Sequence, residues 1–374
     1  MSNYVEGSMW YYAPSKVAPI IFMILFLLSG LAHLYQTIHY KTWRITVFLP
    51  WAALIMSAGF ALRLAGAYHI EDLGIVIASQ VLVMSGPPIY AASNYLVLSR
   101  VLFYVPYLSP MHPGRVLTTF LGLDIIIEAL VANGAVRVTN TSLTPGQRKA
   151  GDVMVKVSLI AQALVFIALL FLAAQFHVRA RRARVLTRPL RTVLIVLYTT
   201  SAAVFIRCIY RIVEYFEGYE GVLLTHEFYF YIFEAALMLV TTLILNSWHP
   251  GKRLPRSNTV FLAQDGVTER RGLGWGDNRP WPVTLADPFD IAGLCRGRDK
   301  KTRFWEMTDA EIEAVEAERK ASERPAWKVA MDPFGVYGRD GKMARLVRGG
   351  KGRSRRGAGG VDAVYPKRSV ENAV

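Results

Sequence analysis

Between Val17 and Trp248 the chain is built of apolar runs of about 20 residues, parted by short polar loops. A run of that length, coiled as a helix, matches the roughly 30 Å hydrocarbon core of a bilayer. Lipid offers no partner to backbone N–H and C=O groups, so each such run must satisfy its own by folding as a helix. The expected architecture is therefore all-α, a polytopic bundle of seven transmembrane helices. The expected spans are 17–39, 45–67, 73–98, 116–136, 152–178, 192–215 and 225–248.

The first sixteen residues form a short polar lead with no basic cluster, so the first run reads as a span and not as a cleavable signal peptide. After His249 the chain turns polar, basic and rich in Gly and Pro. The organisation expected is thus a lead (1–16), a membrane domain (17–250) and a cytosolic tail (251–374) that is mostly disordered. Within the tail, Thr308 and Glu311 have the spacing of a capping box before a short helix near 308–323. The basic, Gly-rich end of the tail suits either a solvated segment or a tether to anionic lipid headgroups, loosened by phosphorylation of Ser354.

Loop charge sets the orientation. Loops after the first, third and fifth spans carry about ten Lys and Arg, and those after the second, fourth and sixth about three. The N-terminus is expected outside and the C-terminus in the cytosol. The sequon Asn140-Thr141-Ser142 then lies outside, where Asn140 is a candidate glycosylation site. Pro87-Pro88 is expected to kink the third span. The formal charge of +15 resides in short loops and the tail, which suits anionic lipid and not nucleic acid. Cys208 lies in an apolar run and Cys295 in the tail, so no disulfide is implied.

The charges inside the spans carry the functional argument. A charge in hydrocarbon costs several kcal/mol unless paired or wet, so intramembrane ionisable residues are candidate site residues. Asp124 and Glu128 lie one turn apart on the fourth span. Arg207, Tyr210, Arg211 and Glu214 share one stripe of the sixth, and Glu227, Tyr231 and Glu234 one stripe of the seventh. By helical rise, Arg63, Arg207 and Arg211 fall in the outer half, Glu214 and Glu227 near the outer surface, and Asp124, Glu128 and Glu234 nearer the midplane. Two readings stand. Either these residues line a polar chamber in which Arg207 and Arg211 pair with Glu214, Glu227 or Glu234, or they are ion pairs that fix helix packing. An acid left without a base would be free to carry a proton or hold an amine.

These residues also carry a resemblance. YYAPS at 11–15, RCIYRIVEYFEGYEG at 207–221, the pattern from His226 to Glu234, HPG at 249–251, GFALR at 59–63, Asp124 and Gln162 resemble the fungal lipid-translocating exporters, also called RTA-like proteins. The resemblance covers about residues 11 to 255. Met56 stands where a Glu is usual, the fourth span lacks the Gln expected after Asp124, and Glu234 stands where an Asp is usual. The resemblance implies a seven-helix plasma-membrane protein that moves amphiphiles such as sphingoid bases, sterol-like toxic compounds or porphyrins, and so confers resistance.

Three functions compete on this reading. The first is a transporter or translocase of lipid-like amphiphiles, not an enzyme and without a cofactor; no GxxxxGK[ST] loop is present to bind ATP. The second is a seven-helix receptor acting on lipid asymmetry indirectly, with a cytosolic partner docking on the tail and the basic loops; the absence of a Lys from the seventh span excludes a retinal Schiff base. The third is an intramembrane metal-dependent lipid hydrolase. The histidines argue against it, because His33 and His39 face apart on the first span, and His177, His226 and His249 sit at different helix ends.

Overall fold

In the computed structural model the residues described are 10, 12–140, 142–218, 221–255, 257, 259–273, 287, 289, 291–295 and 303–322. Seven helices among them are long and apolar enough to cross a membrane. We number these α1 (Ala18–Tyr40), α2 (Phe48–Tyr68), α3 (Leu73–Tyr104), α4 (Pro113–Thr139), α5 (Pro145–Arg182), α6 (Arg188–Glu217) and α7 (Glu227–Lys252). The chain is an all-α, multi-pass membrane protein.

Local chemistry sets the helix starts. The Asp72 carboxylate accepts the N–H groups of Gly74 and Ile75 at 2.8 and 3.2 Å and opens α3. Thr144 and Gln147 close a reciprocal capping box ahead of Pro145, which opens α5 seven residues earlier than its apolar run begins. Pro87 and Pro88 lie inside α3 without ending it.

The helices bury one side each. On α1, Phe26, Gly30 and His33 face the bundle while Ile21, Leu28 and Leu31 face outward, where lipid replaces water as the neighbour. The central helix is α3, which packs on α2, α4, α5 and α6, and α7 closes the bundle against α1 and α6. At the α4–α5 crossing, a Cβ on Gly134 would sit 2.8 Å from the Gly151 carbonyl oxygen, and a Cβ on Gly151 would sit 2.8 Å from that of Gly134. Only glycine at both positions lets these backbones approach so closely.

After Gly251 the short helix expected near 308–323 is present, and the described residues show further order. Strands β1 (Val260–Leu262) and β2 (Glu269–Arg271) form an antiparallel hairpin, and α8 (Asp309–Ser322) follows, opened by the Thr308–Glu311 capping box. Phe261, Leu273, Phe304, Met307, Ile312 and Val315 form a small core that closes on Phe103 of α3. The hydroxyls of Tyr104 and Tyr107 bond Glu269 and the Ala263 carbonyl at 2.8 and 2.9 Å. The pattern was hard to read because most of this core's contacts join residues far apart in sequence. The basic end of the tail, with Ser354, lies outside the described residues. The lead is also tied down, as the candidate site shows.

Candidate functional site

Glu234 sits in a π-helical turn of α7, Tyr231–Ala236. Wider than an α-helix, such a turn moves the side chains of one turn relative to the next, and it recurs at functional sites. The Glu234 carboxylate is fully buried, and it accepts Arg207 Nε on one oxygen and Arg211 Nε on the other, each at 2.7 Å. Arg211 also reaches Glu214 through Nη1 at 2.6 Å, and the Tyr210 hydroxyl donates to the other Glu214 oxygen at 2.9 Å. Tyr210 stacks on Phe233 of α7, with ring centres 5.4 Å apart. Arg207 and Arg211 lie one turn apart on α6, so a single carboxylate can take both.

A second cluster lies beside it. Arg63 of α2 pairs with Glu227 Oε1 at 3.0 Å, and its guanidinium is boxed by Trp10, Tyr12, Phe230 and Tyr231. Its Nη2 also donates to the Tyr12 hydroxyl, and its Nε to Tyr231 at 3.4 Å. The second oxygen of Glu227 accepts the Ser15 backbone N–H at 2.7 Å. The lead is thereby fastened across α2 and α7. Burial raises the Tyr12 pKa above that of an ordinary phenol, against the pull of Arg63, so its hydroxyl keeps its proton.

The third group is on α4. Glu128 accepts Gln162 Nε2 of α5 at 3.1 Å and lies within electrostatic reach of Arg207. Asp124 is 4% exposed, yet neither of its oxygens has a hydrogen-bond partner among the described residues. The Tyr95 hydroxyl of α3 faces it without closing a bond. Tyr95 in turn packs on Phe120 and Phe166 at 5.4 and 6.2 Å. Phe120 also lines an apolar groove of about 480 Å³ between α4 and α5, together with Leu123, Val165 and Phe171.

Every candidate residue in the spans therefore has a defined place. Arg207 and Arg211 pair with Glu234 and Glu214; Glu227 pairs instead with Arg63. Asp124 is the acid without a base. Sequence reasoning missed Trp10 and Tyr95, whose roles depend on contacts across the fold; Tyr12 and Ser15 were visible only as part of the YYAPS motif. Met56, in place of the usual acid, packs in the core over Gly86. Among the described residues, no three His, Cys, Asp or Glu side chains converge as a metal site. Asn140 is exposed at the end of α4, its side-chain oxygen accepting both the N–H and the hydroxyl of Ser142.

A family model described as RTA1 like protein matches residues 49–257. The lipid-translocating exporter-like protein RTA1 of Leptosphaeria maculans is 36% identical over 79% of this chain, which spans 61% of that relative's length. The protein of the same name from Ajellomyces capsulatus is 30% identical over 73% of this chain and 89% of its own. Protoporphyrin uptake protein 1 of Saccharomyces cerevisiae is 24% identical over 62% and 88%. No solved structure matches.

Proposed function

The chain belongs to the RTA1-like protein family, and from that membership we propose that it moves amphiphilic, lipid-like molecules across the plasma membrane. It acts as a transporter and not as an enzyme, and efflux of toxic amphiphiles confers resistance. The relatives' names support the amphiphile class. The observation that carries the mechanism is Asp124, a buried carboxylate with both oxygens unpartnered among the described residues. It stands one turn from Glu128 and faces Tyr95, whose ring packs on Phe120 of the α4–α5 groove.

In this reading the apolar tail of the substrate lies in the groove and its polar head reaches Asp124 and Glu128. A cationic head, as in a sphingoid base, satisfies a buried carboxylate best. Residues Arg63, Arg207, Tyr210, Arg211, Glu214, Glu227, Tyr231 and Glu234 hold α2, α6, α7 and the lead in register around that path. The N-terminus is outside, Asn140 is glycosylated, and the basic tail lies against anionic headgroups in the cytosol.

The test is movement of a labelled single-chain amine and of fluorescent phospholipids in proteoliposomes holding the full chain, beside Asp124→Asn. Protein-dependent movement that the variant loses supports the path; movement unchanged in the variant sinks it. A receptor reading is favoured by one observation, the folded unit docked on the end of α3, which offers a surface to a cytosolic partner. Absence of movement for every lipid, with the protein folded, decides for that reading.

A further inference from the structure

The α4–α5 groove continues toward the C-terminal end of α5. Phe171 and Gln175 line both the groove of about 480 Å³ and a further stretch of about 390 Å³, which runs past Val178 to Arg179 and Arg182. Leu164, Ala168, Phe171, Gln175, Val178 and Arg182 are spaced three or four apart, so one face of α5 carries the whole track. The apolar run of α5 ends at Val178, which puts Arg179 and Arg182 at headgroup depth.

Arginines in the last turn of a helix ordinarily complement its dipole or bond its last carbonyls. Here the backbone does that work. The carbonyls of Arg179, Ala180 and Arg181 accept the N–H groups of Ala183, Val185 and Arg184 at 2.9, 3.1 and 3.2 Å. Arg179 and Arg182 are exposed, and neither has an ion pair or a side-chain hydrogen bond among the described residues. Arg63, Arg207 and Arg211, by contrast, are each buried on a carboxylate. Two guanidiniums one turn apart with their donors unspent match a phosphate, which takes paired N–H groups. The track above them is apolar, with only Thr119 and Gln175 as polar lining in the main groove, and Phe171 is 63% exposed.

We propose that this track binds one anionic phospholipid, its phosphate on Arg179 and Arg182 and an acyl chain along Val178, Phe171 and the α4–α5 groove. Charge complementarity selects the occupant. A cationic or neutral head offers the arginines no anion, and a soluble phosphate leaves the apolar face uncovered. In the orientation proposed above this end faces the cytosol, and the cytosolic leaflet is the one that carries anionic lipids. The site differs from the acids of α4, which suit a cation; Asp124 lies about 16 Å along α4 from Pro113. A transported chain would share the groove, but the binding of phospholipid needs only the groove and the two arginines, and it stands if the transport reading falls.

The test is native mass spectrometry of the purified full chain in detergent, with phosphatidylglycerol and phosphatidylcholine of identical acyl chains. Phosphatidylglycerol is expected to bind about tenfold tighter, the effect of two basic contacts at a membrane surface. The double variant Arg179→Gln, Arg182→Gln should bind both lipids alike; Arg181, Arg184, Arg188 and Arg191 remain to hold the topology. Arg148→Gln with Lys149→Gln, at the other end of α5, should keep the preference. Ala168→Trp, at an exposed position of the lining, fills the groove and should weaken phosphatidylglycerol with both arginines intact. Five results overturn the proposal: equal binding of the two lipids, a preference that survives the arginine variant, a preference that the Arg148 and Lys149 pair abolishes as well, an affinity unchanged in Ala168→Trp, or full competition by glycerol 3-phosphate, which has the head without the chain.

Discussion

Glu227 binds Arg63 at 3.0 Å with one carboxylate oxygen and the backbone of Ser15 with the other, at 2.7 Å. One side chain of α7 thus joins α2 to the lead. Removing it leaves Arg63 buried among aromatic rings without its anion.

Glu227→Ala is therefore expected to destabilise the bundle by about 3 to 5 kcal/mol, the loss typical of leaving a buried charge without its partner. Tyr12→Phe removes one hydrogen bond and costs about 1 kcal/mol. Its more specific effect is release of the lead, read as faster proteolysis ahead of α1. Equal cleavage of variant and wild type would refute the fastening.

Glu234→Ala leaves Arg207 buried without its anion and Arg211 with Glu214 alone, and a loss of about 3 to 5 kcal/mol is expected in thermal melts of the purified protein. Glu234→Gln keeps the shape and removes the charge, and it should fall between. If both variants melt with the wild type, the network is not holding α6 against α7.

Asp124→Asn breaks no hydrogen bond seen among the described residues. Stability unchanged or raised is expected, because an uncompensated buried carboxylate is itself costly. Loss of amphiphile movement with stability intact separates the role of Asp124 from that of Glu234. A Tm drop as large as that of Glu234→Ala would mean that Asp124 has a structural partner.

Gly134→Leu pushes an isobutyl group into the Gly151 backbone at the α4–α5 crossing. The helices must separate, which also reshapes the groove behind Phe120. Poor folding is expected, with at least about 3 kcal/mol lost if the protein can be purified. Wild-type stability would show that the crossing tolerates a wider spacing.

Asn140→Gln is expected to abolish a glycosidase-sensitive shift in gel mobility when the chain is made in a secretory membrane. A shift that persists in the variant, or is absent from the wild type, counts against the orientation inferred from loop charge.

Much of the fold is legible because lipid simplifies the problem. A run of about 20 apolar residues has one solution in a bilayer, so the helices and their order follow from pattern alone. Helix ends were less legible: α3 continues to Tyr104 and α5 starts at Pro145, because caps and water support turns beyond the apolar run. The candidate charges were visible because each is out of place in hydrocarbon, and their stripes followed from helical spacing. Their pairing was not, since Arg63 is 164 residues from Glu227 in sequence. The π-helical turn that sets Glu234 against both arginines left no mark in the residue pattern.

The sequence by itself determined that seven helices span a membrane and that charged side chains are buried among them, because periodicity and transfer energy are local properties of the chain. Only the tertiary structure decided which acid meets which base, that Asp124 meets none among the described residues, and that His33 and His249 face one another across 216 positions. It also placed the hairpin and α8 of the tail on Phe103. Those outcomes depend on how helices rotate and cross, which is fixed by close packing between distant residues and not by any one segment.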